Sequence, residues 1–162
     1  MGMIGNFKQV TPKKLEELKA DPSKVSEYIY KDKEFNSLDI DKSWNAIHWL
    51  LNGSDDSFEG PLGRCVLGGT DIGLDVGYGP ARYLTPEEVK ETVTALKRVS
   101  NEELISRYNA EDMTADDVYP EVWGRKEEEQ FNKEYILENY PLMVSYYQDA
   151  ARHGNGMLIY IN

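Results

Sequence analysis

The stretch Leu38-Asp39-Ile40-Asp41-Lys42-Ser43-Trp44-Asn45-Ala46-Ile47-His48-Trp49-Leu50-Leu51-Asn52-Gly53 is the most apolar helical window in an otherwise polar chain. It holds two of the three tryptophans and one of the two histidines. Asp41 suits the cap of a helix, where its short carboxylate accepts from the free N–H groups of the first turn. Gly53 suits the end, because glycine enters the left-handed conformation cheaply. Trp44, Ile47 and Leu51 recur at helical spacing and define a buried face. The prediction is a central, largely buried helix.

Upstream, residues 1–10 alternate loosely and read as a strand. Thr11-Pro12 is a helix-start signal, with Val10 and Leu15 as a hydrophobic staple, and the helix runs to about Ala20. Asp21-Pro22 repeats the signal for a second short helix through Tyr30, and a polar connector follows to Asn36. Downstream, residues 52–64 are turn-rich and read as a loop, the longest gap without periodicity and so a lid or a mobile insertion. Cys65-Val66-Leu67 reads as a short strand broken by Gly68-Gly69, and residues 72–76 as another.

Thr85-Pro86 with Glu88 is a capping box, flanked by Leu84 and Val89 as its staple, and opens a helix to about Val99. Ser100 with Glu103 repeats it for a short helix to about Tyr108. Residues 109–117 are acidic and irregular. Residues 118–123 return apolar mass to the core. A long helical pattern from about Lys126 to His153 carries Phe131, Tyr135, Leu142, Tyr146 and Ala150 on its faces, and Pro141 should kink or split it. Residues 157–161 form a clear last strand. Terminal strands framing a run of helices make an α+β fold: one compact domain over 1–162, with a small, mostly antiparallel sheet that includes both terminal strands.

A chain of 162 residues buries a full core without staples. Its single cysteine excludes an internal disulfide and a four-cysteine zinc site, which fits a reducing cytoplasm. No signal segment or membrane-length apolar run is present, so a soluble cytoplasmic protein is expected. The net charge of −11 disfavours nucleic acid and anionic membranes as partners. Residues 101–139 hold twelve acidic and four basic side chains. The plainer reading is a solvated surface; the sharper one is an acidic face for a basic protein partner, with Glu127, Glu128 and Glu129 at its centre.

The opening Met-Gly-Met-Ile-Gly, the run Leu38 to Trp44 followed by His48, and Gly79-Pro80-Ala81-Arg82-Tyr83-Leu84 before a helix resemble the YfbM-like family of bacterial proteins, which carry a domain of unknown function. Tyr119-Pro120 with Trp123, and an aromatic helix leading into a last strand, agree with it. The resemblance spans nearly the whole chain. It implies a compact α+β domain and supplies no reaction.

His48, with Asp41 seven residues earlier, suits general acid–base work near neutral pH; alternatively it is a buried histidine with satisfied nitrogens. His153, near a helix C-terminus, needs no function. Asp39 and Asp41 offer too few oxygens for a hard cation, so capping is preferred to metal binding. Arg82 beside Tyr83 suits an anion holder, and equally an ion pair with Asp39 or Asp41. Gly77-x-Gly79 lacks the third glycine of a dinucleotide fingerprint, and no phosphate loop, nucleophile elbow or zinc-binding helix pair occurs. Cys65 reads as a buried, inert thiol. No cofactor is expected. Two functions follow. The first is a non-catalytic protein-binding module, of inhibitor or immunity type or a nucleic-acid mimic. The second is a small-molecule enzyme using His48 as acid or base and Arg82 as anion holder, which requires both to reach one cleft.

Overall fold

The computed structural model describes residues 2–162. Five strands form one antiparallel sheet: β1 (Gly5–Val10), β2 (Leu38–Asp39), β3 (Thr70–Asp75), β4 (Pro80–Leu84) and β5 (Gly156–Ile161), in the order β2-β1-β5-β4-β3. The expected neighbouring of the terminal strands holds, with Gly5 opposite Ile161 and Val10 opposite Gly156. Met1, which the sequence placed in the first strand, lies outside the described residues.

Eight α-helices cover both faces: α1 (Pro12–Ala20), α2 (Val25–Lys31), α3 (Trp44–Asn52), α4 (Gly60–Arg64), α5 (Pro86–Leu96), α6 (Asn101–Ser106), α7 (Ala110–Ala115) and α8 (Glu129–Arg152). Strand alternation divides the core in two. Val10, Ile72, Ala81, Leu158 and Tyr160 pack with Leu15, Leu18, Val25 and Tyr28 of α1 and α2. Phe7, Leu84, Met157 and Ile159 pack on the other face with α3, α5, α6 and α8. Covered on both sides, β1 is buried at every position. Its Lys8 is enclosed too, and Nζ donates to the carbonyls of Tyr28 (2.7 Å), Ile29 (3.3 Å) and Asp32 (2.7 Å) at the end of α2. Burial lowers its pKa.

The start signals at Thr11 and Thr85 work as read. Thr11 accepts from the Lys14 amide, and Thr85 and Glu88 complete both bonds of the capping box. Ser100 accepts from the Glu103 amide, but the Glu103 carboxylate turns to Arg107, so that box is half made. Asp21 makes no side-chain cap, and a 3₁₀ turn over Pro22–Lys24 leads into α2. Gly53 ends α3 at φ 71°.

Other expectations are corrected. Asp41 does not cap α3. It opens the 3₁₀ turn Asp41–Ser43 at φ 51°, and its carboxylate accepts from the Tyr135 hydroxyl instead. The 52–64 segment contains α4, opened by Pro61 at a first-turn position. Residues 65–67 are a turn rather than a strand, because side chains take their carbonyls: Tyr147 donates to Cys65 O, and Arg82 to Val66 O. Gly68 lets this turn close, since a Cβ there would stand 2.5 Å from the Phe58 carbonyl. Residues 109–117 hold α7, capped by Asn109. Pro141 lies within α8 without dividing it. Asn132, Ile136, Tyr140, Met143, Tyr147 and Ala150 form the inward stripe of α8, while Phe131 and Leu142 face outward, 68% and 53% exposed.

Candidate functional site

Helix α3 is buried from Trp44 to Leu51, so its polar residues must find partners inside the protein. Asn45, His48 and Asn52 recur at i, i+3 and i+7 and form a row on one side of the helix. Asn45 donates to Asp55 Oδ1 at 2.9 Å and accepts from the Tyr119 amide at 2.7 Å. Asn52 donates to the carbonyls of His48 (2.9 Å) and Leu62 (3.0 Å). The His48 ring stacks on Phe58 with centroids 5.9 Å apart. It is fully buried, and its Nε2 has no hydrogen-bond partner. Desolvation pulls its pKa down to about 4; the nearby Asp55 backbone opposes this, and the Arg82 charge adds to the lowering. Phe58 also lines a surface depression with Arg64, Thr70 and Glu88, so it stands between that depression and the imidazole.

The structure does not unite His48 with Asp41. The Asp41 carboxylate is held by Tyr135 at 2.7 Å, and Asp39 accepts from the Asp41 amide at 2.6 Å. These two aspartates shape a turn. Arg82 pairs with neither. They belong to the β2 edge, which two strands separate from β4, and the Arg82 guanidinium donates to the carbonyls of Val66 (3.2 Å) and Gly68 (3.1 Å). Its burial lowers its pKa. Tyr83 points to the opposite sheet face, where Lys19 Nζ lies 5.6 Å from its ring. Cys65 is buried, and desolvation pushes its thiol up to about 12. Among the described residues no group of three or more His, Cys, Asp or Glu could hold a metal ion, and no helix is long and apolar enough to cross a membrane.

A different surface concentrates charge. Of the three glutamates singled out, Glu127 is exposed, Glu128 pairs with Arg125 at 3.4 Å and Glu129 with Lys133 at 3.7 Å. The uncompensated carboxylates lie just upstream: Glu111, Asp112, Asp116, Asp117 and Glu121, all exposed and outside every ion pair found among the described residues. Asp116 accepts from the Trp49 indole at 2.7 Å, which mounts this patch directly on α3.

The family model described as "Domain of unknown function (DUF1877)" matches residues 1–160. The chain belongs to the DUF1877 family. A curated DUF1877 relative, protein YfbM of Escherichia coli strain K12, is 29% identical over 167 residues, covering 99% of each chain. The crystal structure titled as a protein of unknown function, YfbM from Escherichia coli, superposes with a TM-score of 0.78 at 25% identity, covering 98% of this chain and 99% of that one. The resemblance read from the sequence thus stands for this DUF1877 chain, as does the α+β fold.

Asn45, Asn52, Phe58 and Arg107 were not singled out in the sequence. The first two carried a legible signal, a polar row at i, i+7 inside an apolar helix. Arg107, which donates to the Leu50 carbonyl at 3.0 Å, carried none.

Proposed function

We propose that this protein is a non-catalytic binding module whose acidic surface, on α7 and residues 116–128, receives a basic protein partner, in the manner of an inhibitor or immunity protein. The observation that supports it is the set of exposed carboxylates outside every ion pair found among the described residues at Glu111, Asp112, Asp117 and Glu121. Elsewhere some surface acids are locally matched, as Glu17 is by Lys14 and Glu91 by Arg64; others such as Asp71, Asp75 and Glu87 are exposed and outside the ion pairs too, and what marks the α7 region is that Glu111, Asp112, Asp116, Asp117 and Glu121 fall within residues 111–121. Concentrated unmatched charge steers an oppositely charged partner and sets its on-rate.

The test compares the protein with a charge-neutral variant, Glu111→Gln, Asp112→Asn, Asp117→Asn and Glu121→Gln. Proteins crosslinked in a cell extract at low salt are identified for both, and association rates are followed against ionic strength. A basic protein should be recovered by the parent and lost by the variant, with a rate that falls steeply as salt screens the surface. Identical recovery by both forms rejects the proposal.

A further inference from the structure

Residues 53–59 join α3 to α4 without regular structure. They rest on the Asn45–His48–Asn52 row, and two contacts fasten them there: Asn45 Nδ2 to Asp55 Oδ1 at 2.9 Å, and the near-parallel stack of Phe58 on His48 at 17°. Phe58 is 48% exposed even so. His48 Nε2 is buried without a hydrogen-bond partner among the described residues, and Phe58 stacks on its ring.

We infer that residues 53–59 form a proton-released lid, which opens when His48 is protonated and uncovers the polar row of α3.

The geometry explains why. The Asn52 amide nitrogen lies 3.4 Å from Nδ1, and its two hydrogens go to the carbonyls of His48 and Leu62, so it offers a protonated Nδ1 no acceptor. A proton on Nδ1 would set donor against donor. No carboxylate is placed to compensate the charge. The Asp55 carboxylate, on the lid, is engaged by Asn45, and the Asp55 backbone, which favours the charged ring, is outweighed by burial. From β4 the ring meets the positive Arg82. From α6 Arg107 is turned to the Leu50 carbonyl and to Glu103. On α8 Tyr140 and Tyr147 donate to the carbonyls of Val99 and Cys65, and burial raises both phenols. Arg64 of α4 is held by Glu88 and Glu91. A charged ring must therefore reach water. Helix α3 is fixed in the core, so the irregular segment above it is what moves.

The sign follows from linkage. The closed form holds His48 at about 4, and an opened ring returns to its ordinary 6.5. The closed form is thus fully favoured above 6.5 and loses ground as pH falls towards 4. At pH 5 the ratio of open to closed should exceed its value at pH 7 by about 20-fold. Asp55, raised by burial, binds its proton more readily when closed and acts in the opposite sense, nearer the carboxylate range.

Proton NMR of the native protein from pH 7.5 to 4 tests this. The only other histidine, His153, is exposed and serves as the internal reference. The expected result is that His48 titrates between 4 and 6.5, loses its cross-peaks to Phe58 in the same step, and leaves the β1 and β5 amides unchanged. Phe58→Ala, at a half-exposed side chain, should move that midpoint towards 6.5. A ring that titrates while still stacked, or that stays neutral until the strands unfold, overturns the inference. So does a midpoint unmoved by Phe58→Ala.

Discussion

Around α3, polar groups close on one another. Asn45 joins Asp55 to the Tyr119 backbone, Asn52 ties two carbonyls, and Arg107 holds the helix end. Around α7, which the Trp49–Asp116 hydrogen bond joins to that helix, the carboxylates of Glu111, Asp112 and Asp117 face solvent outside every ion pair found among the described residues. The first region uses polar atoms to fix a structure. The second leaves charge uncompensated, which adds repulsion to the folded state and is tolerable only because water screens it. A polar residue therefore means different things by location: inside the protein its deletion should register in stability, and on the acidic face it should register in association.

The largest expected effect is at Trp44, which stacks on Tyr119 with centroids 5.5 Å apart and donates its indole N–H to Met3 O at 2.9 Å. Trp44→Ala should lower stability by about 3–5 kcal/mol in urea titration. A loss below about 1 kcal/mol would remove α3 from the centre of the fold. Asn45→Ala should cost about 1–3 kcal/mol, because it strands the Tyr119 amide as well as releasing Asp55; a neutral outcome would break the contrast between the two regions. Thr85→Ala removes the side-chain cap of α5 and should cost about 1 kcal/mol by thermal denaturation. The smallest effect belongs to the acidic face. Reversing Glu127, Glu128 and Glu129 to lysine should change stability by no more than about 0.5 kcal/mol, while slowing association with a basic partner at low salt. A rate indifferent to both salt and the reversal would leave these residues as solubilising surface.

The elements legible in the sequence were those with local chemistry. Thr11-Pro12 and Thr85-Pro86 announce helix starts through the bonds that their hydroxyls go on to make. The apolar run 157–161 could bury itself only between two layers, and it does. What stayed hidden was set by distant partners. Residues 65–67 have strand-like composition, yet Tyr147 and Arg82 claim their carbonyls from elsewhere in the chain. Asp41 looks like a cap until Tyr135 reaches across from α8. The burial of His48 was one of two readings open in the sequence. Its lid was not legible, because the stack on Phe58 depends on how residues 53–59 fold back.

The pairing of β1 with β5 has a consequence for how the molecule is made. The middle of the sheet joins residues from the two ends of the sequence, Val10 with Gly156 among them. During translation the first strand emerges early and finds neither of its main-chain partners. At roughly 5–20 residues per second, the wait for β5 is on the order of ten seconds. Throughout it, the side of β1 that β5 will pair has no main-chain partner. The sheet therefore closes only once residues 156–161 have left the ribosome, because β5 is the strand that joins β1 to β4.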